Sequence, residues 1–235
     1  MPSVQRPPNR LLQALPEADY EALHPHLEIV VLVRETVLVE AGAALTHVYL
    51  PHAGAVSMVV NLSEGQTVEV AMIGRDSVVG ASTALVDGIS LSDVVVLFPG
   101  TASMLDIARF RAAAERSAAL RHLLARHEQA LIAQALQSAA CNASHSVEAR
   151  LSRWLLRARD LSGSDSLHLT QEFLAQMLGV QRTSVTIVAS TLQQAGIIRY
   201  RRGNIQITDL DGQIASACEC YETVKTHYDR LRSTH

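Results

Sequence analysis

The sequence is poor in cysteine, lacks any long apolar run and carries no net basic charge. Three cysteines in 235 residues, Cys141, Cys218 and Cys220, are too few for a disulfide-stapled secreted scaffold. Together with the absence of a basic-then-apolar leader, they imply a reducing compartment, the cytoplasm. Apolar stretches break at charges or turn residues well short of the ~20 residues that a membrane-spanning helix needs, so no membrane partner is expected. No nucleophile–base pairing, phosphate-binding loop or complete metal cluster is recognisable, which argues against an enzyme. A net charge of −3 would argue against a polyanionic partner if the charge were spread evenly. It is not: residues 147–235 hold 11 Lys and Arg against 9 Asp and Glu, and the acidic excess falls on residues 1–146. With 48% apolar residues the chain can bury one large core or two moderate ones, and its length favours two domains.

The most organised stretch is LTQEFLAQMLGVQRTSVTIVASTLQQAGIIRYRRGNIQIT, residues 169–208. Thr170 can cap a helix by accepting from its first unsatisfied N–H groups, and Leu174, Met177 and Leu178 then recur with helical spacing. Gly179 sits where the chain must reverse, since a residue without Cβ enters the left-handed region freely. In a second helix Val185, Val188, Ala189 and Leu192 form the inward stripe, leaving Arg182, Thr183, Thr186 and Ser190 outside. Gly196 closes that helix. Ile197, Ile198 and Tyr200 then alternate into a strand that Gly203-Asn204 turns back into Ile205, Gln206 and Ile207. This is the pattern of a winged helix-turn-helix.

A helix of this width fits the major groove of B-DNA and presents first-turn side chains to base edges. Gln181, Arg182, Thr183, Ser184 and Thr186 are the candidates on that turn, and Arg182 can donate two parallel hydrogen bonds to guanine O6 and N7. Thr170, Gln171, Ser184, Arg199, Arg201 and Arg202 are placed to touch phosphates, which fixes register without reading sequence. The alternatives are a buried αα-hairpin, or a ligand or redox sensor whose winged helix contacts protein instead of double-stranded DNA.

LTQEFLAQMLGVQRTSV resembles, without a gap, the helix-turn-helix of the Crp/Fnr family, the relatives of the cyclic-AMP receptor protein and the fumarate-nitrate regulator. The resemblance spans nearly the whole chain. It implies an α+β fold: an N-terminal antiparallel β-roll of the cyclic-nucleotide-binding type over residues 1–108, a dimerisation helix and hinge over 109–143, and a C-terminal winged helix-turn-helix over 144–235. It also implies a transcription regulator with RNA polymerase as a further partner, and it places Arg182 on the family's guanine-reading position. Thr183 and Ile187 stand where the receptor-protein branch has a glutamate and a second arginine, so the operator sequence does not carry over.

The sequence upstream is consistent with such a roll. Residues 1–8 read as a loose tail, and Leu11, Leu12, Leu15, Tyr20 and Leu23 suggest two short helical pieces. Between about Leu27 and Ile107 the apolar period is two, punctuated by Gly42, Gly54, Gly65, Gly74, Gly88 and Gly100. The family's nucleotide-binding version has a glutamate after a glycine and an arginine about ten residues on; here Gly80 is followed by Ala81, and Leu91 or a neighbour replaces the arginine. A buried phosphate without a cation would be an uncompensated charge costing several kcal/mol. No cyclic nucleotide is therefore expected. The family's iron–sulfur branch gathers cysteines near the N-terminus, whereas the first cysteine here is Cys141, so that cofactor is not expected either.

From Asp106 to about Ala140 the sequence reads as one long helix. Leu120, Leu124, His127, Leu131, Gln134, Ser138 and Cys141 repeat with spacing 4, 3, 4, 3, 4, 3, a heptad seam for a homodimer, or else for packing within the chain. Asn142, Ala143 and Ser144 suggest the hinge. Over residues 146–160, Leu151, Trp154, Leu155 and Ala158 face inward and Arg150, Arg153 and Arg157 outward. Cys141 and His145 would make only half a metal site. Cys218 and Cys220, read as lying on one helix over Ile214–Leu231, would diverge, so no metal is expected.

Overall fold

The computed structural model describes residues 6–232. Residues 1–5 of the expected tail lie outside that range, and Arg6 is not loose: its guanidinium stacks 4.7 Å from the Tyr20 ring centroid. Two short helices, α1 (Arg10–Ala14) and α2 (Glu17–Leu23), lead into the roll. Asn9 caps α1, its side-chain oxygen accepting from the Leu11 and Leu12 N–H groups.

The roll holds β1 (Glu28–Leu32), β2 (Val37–Val39), β3 (His47–Asn61), β4 (Thr67–Ile73), the short helix α3 (Ala81–Leu85) and β5 (Asp93–Asp106). These strands form an antiparallel sheet in the order β1-β5-β3-β4, with β2 also paired to β5. The apolar runs before and after Gly54 are one bent strand, not two strands joined by a turn. A Cβ on Gly54 would lie 2.5 Å from the Phe98 carbonyl oxygen, and one on Gly100 would lie 2.0 Å from that of Ala53. The two backbones cross so closely at the bend that neither position accepts a side chain.

The expected single helix after the roll is two, α4 (Ile107–Arg116) and α5 (Ala118–Ser144). Ser117 separates them in extended conformation, its hydroxyl accepting from the Leu120 N–H. A mid-pattern serine thus acts as a cap, a role that periodicity alone does not reveal. Helix α5 runs through Asn142–Ser144, and the chain bends at His145-Ser146 before α6 (Val147–Ser162). The C-terminal part then comprises β6 (Ser166–His168), α7 (Gln171–Leu178), α8 (Arg182–Gln194), β7 (Ile198–Arg201), β8 (Asn204–Ile207), α9 (Leu210–Ser216) and α10 (Cys220–Asp229), with a small sheet in the order β6-β8-β7. Among the described residues no helix is long and apolar enough to cross a membrane.

The heptad seam of α5 faces the chain's own core, which corrects its assignment to a dimer contact. Leu120, Leu124, His127, Gln134 and Ser138 are buried, and Leu131 packs against the roll. His127 Nε2 lies 2.5 Å from the Ser77 hydroxyl and accepts from the Val78 N–H, while Gln134 Oε1 accepts from the Tyr228 hydroxyl at 2.8 Å. A heptad repeat shows that a stripe is covered, not by which chain.

Arg150 and Arg157 are buried rather than outward, and Arg153 is half-buried. Helix α6 packs against the roll as well as against its own domain. Ala55, Val59, Met72, Leu97 and Phe98 of the roll share one apolar cluster with Leu151, Trp154, Leu155, Ala158 and Leu161 of α6. At its edge Arg157 Nη1 donates to Asp76 Oδ2 at 2.8 Å, and the guanidinium lies 4.5 Å from the Tyr228 ring centroid. Arg150 donates to the Leu178 carbonyl. Trp154 Nε1 donates to Glu69 Oε1 at 2.7 Å, and the Ser57 hydroxyl donates to the other oxygen. Burial pushes the Glu69 pKa up, while those two hydrogen bonds and the charges of Arg153 and Arg157 oppose the rise.

Asp76→Ala leaves the Arg157 charge buried and unpaired, and should lower unfolding free energy by about 3–5 kcal/mol. The double variant Asp76→Ala/Arg157→Met should lose far less than the two single losses added together. Urea unfolding of the full chain measures both.

Candidate nucleic-acid interface

The helix-turn-helix is built locally as its sequence suggests. The Thr170 hydroxyl accepts from the Phe173 N–H at 3.1 Å, capping α7, and Leu174, Met177 and Leu178 are buried. Gly179 ends α7 in the left-handed region at φ 60°, where the Val180 N–H reaches back to the Ala175 carbonyl. The same glycine admits the roll, since a Cβ there would lie 3.3 Å from a Val68 methyl. The tip of the β3–β4 hairpin therefore stands beside the turn, with Gln66 and Val68 facing Gln176 and Gln181 across an open cleft.

Helix α8 buries Val185, Ala189 and Leu192 against α6 and α7, and half-buries Val188. Gln181, Arg182, Thr183, Thr186 and Ser190 are exposed on the other side; Ser184 is half-buried at the edge of that face. The Arg182 side chain is 67% exposed, and its Nε comes no closer than 4.0 Å to Glu172, a solvated contact that holds it only weakly. Gln171 is half-buried, and its Oε1 lies 2.8 Å from the Thr186 hydroxyl, which also lies 3.0 Å from the Arg182 carbonyl oxygen. This couples the start of α7 to the first turn of α8. Ile187, also 67% exposed, shares the outward face with Thr183 one turn earlier. In the sequence Ile187 stands out only as a departure from the family; its helical spacing from Thr183 was the signal that could have placed it on this face.

The wing turn is Arg202-Gly203, not Gly203-Asn204. Arg201 pairs with Asn204, leaving a two-residue loop with φ 50° at Arg202 and 75° at Gly203. Positive φ at both central positions is the type I′ pattern, in which asparagine is favoured before glycine. An arginine there carries a conformational cost of about 1–2 kcal/mol, and such strain persists at functional positions. The Leu169 N–H donates to the Gly203 carbonyl at 2.8 Å, holding the wing tip beside the capped start of α7. Thr170, Arg199, Arg201 and Arg202 are all exposed along this edge. The Tyr200 N–H donates to Gln193 Oε1 at 2.8 Å, tying the wing to the end of α8.

The roll contains a small cavity of about 80 Å³ between α3, β5 and α5. Ala81 is buried at its wall, and among the lining residues Glu128 is the one with a charged side chain. Leu91 also lines its mouth but is 91% exposed.

Residues 149–212 match the Crp-like helix-turn-helix domain, and residues 29–117 match the cyclic nucleotide-binding domain. No curated protein matches the sequence significantly. The fold is similar to that of FixK2 from Bradyrhizobium japonicum, at 16% identity and TM-score 0.69 over 82% of this chain and 98% of that one. It is also similar to a CRP/FNR-family transcriptional regulator from Thermus thermophilus, at 22% identity and TM-score 0.67 over 83% and 98% of the two chains. A CRP-family regulator of the same organism gives 19% identity and TM-score 0.66 over 81% and 99%. A nucleotide-binding-type roll followed by a Crp-like reading head defines a DNA-binding transcription regulator rather than an enzyme. The chain belongs to the Crp/Fnr family.

Arg202→Asn should relieve the strain at the wing turn and raise the unfolding midpoint. It should also lower the slope of log K against log salt by about 1, the change expected for removing one phosphate contact. Thermal unfolding and salt-dependent DNA titration of the same preparation test the pair of effects.

Proposed function

We propose that this regulator works as a homodimer on a two-fold symmetric operator, each protomer laying α8 in the major groove and its wing along the flanking backbone. The observation that carries this reading is the exposed face headed by Arg182, continued by Thr183, Thr186 and Ile187, with Arg199, Arg201 and Arg202 beside it. The arginine reads guanine, Ile187 meets a thymine methyl, and the wing arginines fix the register. A winged helix serving protein contacts would not need this row of cations, so DNA is the better-supported partner.

The dimer contact is assigned to the outward face of α5. Ala125, Gln129, Ile132, Leu136, Ala139 and Ala143 repeat with spacing 4, 3, 4, 3, 4 on the side away from the roll. Ile132 is 57% exposed and Leu136 67%, large apolar side chains standing on a regular seam. A second copy of the same helix is the self-complementary partner for such a stripe. RNA polymerase is proposed as the partner through which the bound dimer acts, and the cytoplasm as its location.

The effector is proposed not to be a cyclic nucleotide. The roll cavity offers buried Ala81 and the carboxylate of Glu128 where an anionic phosphate needs a cation, and neither its size nor its lining suits one. Neutral or apolar compounds fit that lining better.

Selection from random duplex DNA should enrich a palindrome without added nucleotide; enrichment confined to samples with nucleotide would overturn the effector reading. Arg182→Ala should weaken binding to the enriched sequence by about 1–3 kcal/mol while leaving non-specific affinity nearly unchanged. Equal losses on every sequence would refute base reading. Leu136→Glu should yield monomers in sedimentation and abolish the preference for two half-sites over one.

A further inference from the structure

We propose that Cys141, His145, Cys218 and Cys220 form a closed four-ligand site for a single thiophilic divalent cation, Zn2+. This reverses the expectation from sequence that the cysteines diverge and that no metal is bound. The reason lies in the backbone: α9 ends at Ser216 and α10 starts at Cys220, so Cys218 sits in the connection and not on the same helix. The break turns both sulfurs toward the end of α5. Cys141 and Cys220 are fully buried, Cys218 nearly so, and one donor atom from each of the four residues lies within 4.8 Å of the others.

Two of the separations already match a single ion. Cys141 Sγ and Cys218 Sγ are 3.5 Å apart, as are Cys220 Sγ and His145 Nδ1. A tetrahedron built with Zn–S and Zn–N bonds of about 2.3 and 2.0 Å has edges of about 3.5–3.8 Å. A multi-iron cluster, which has its own volume, needs ligands spread more widely. Three thiolates and one imidazole with no position left for solvent is the donor set of a structural zinc site, not a catalytic one.

The surroundings are those of metal ligands. His145 Nε2 lies 3.3 Å from Glu219 Oε1, so the carboxylate fixes the tautomer that turns Nδ1 inward. Gln137 Nε2 donates to Cys220 Sγ at 3.0 Å. Arg150 and Arg153 of α6 are close enough to act electrostatically on the sulfurs, and would offset the net negative charge of three thiolates around one dication. A disulfide between Cys141 and Cys218 would account for neither the third cysteine nor the oriented histidine. The ion would join the end of α5, the bend at His145-Ser146 and the start of α10.

The test uses the full chain expressed with zinc in the medium and purified under reducing conditions without chelator. Elemental analysis should find about one Zn2+ per chain. Replacement by Co2+ should give the visible bands of a tetrahedral ion together with thiolate-to-cobalt charge transfer. Cys220→Ser should remove both. Glu219→Gln, an exposed change that leaves every ligand in place, should weaken Zn2+ binding roughly tenfold without altering the far-ultraviolet circular dichroism. Protein that is folded, metal-free and indifferent to added Zn2+ and Co2+ would overturn the proposal. So would a quantitative Cys141–Cys218 disulfide in protein prepared without oxidant.

Discussion

The architecture turns on a charge that has been taken out of water. Arg157 is buried between the roll and the reading head, and it is tolerable there because Asp76 comes from the roll while Tyr228 comes from α10. Desolvating either ion costs several kcal/mol, so the pair need not add net stability. What it does is select. Only one placement of α6 on β3 and β4 lets both ions find their partners, whereas the apolar cluster around Trp154 and Met72 would tolerate small slips. Glu69 repeats the logic nearby, with one oxygen held by Ser57 of the roll and the other by Trp154 of the head.

This dependence also explains which parts of the molecule could be read from the chain. The helix-turn-helix was legible almost residue by residue, because Thr170, Gly179 and the spacing of Val185, Ala189 and Leu192 are local signals with local physical causes. The roll was legible as alternation and glycine rhythm, but Gly54 marks a bend within one strand and not a break between two. A glycine demanded by a close crossing of two distant strands looks the same in sequence as one demanded by a chain reversal. What covers a polar or mixed stripe was not legible. His127 and Gln134 turned inward and Arg150 and Arg157 were covered, because both answers depend on a domain far away in sequence.

The cysteines show the same limit in its sharpest form. Residues 141 and 145 are one helical turn apart, and their relation can be inferred; their meeting with residues 218 and 220 depends on a helix break between Ser216 and Cys220 that no glycine or proline announces. Long α5 is thereby engaged on several sides: the roll holds Leu124 and His127, α10 holds Gln134, and the stripe of Ile132 and Leu136 stays open. The two repeats on this helix share one period, but the chain itself covers the first and leaves the second exposed.

The glycine at the helix-turn-helix corner carries a lesson for modularity. A Cβ on Gly179 would press a Val68 methyl at 3.3 Å, and Leu97 and Phe98 share one apolar cluster with Leu151 and Leu155, so the reading head has two distinct faces. One, headed by Arg182 on α8, faces solvent and is only weakly constrained by the chain's own fold. The other is moulded to this particular roll. Recombination that exchanged reading heads among relatives would transplant the first face intact and strand the second, so new specificities in such a lineage are more readily reached by point changes on α8 than by shuffling domains.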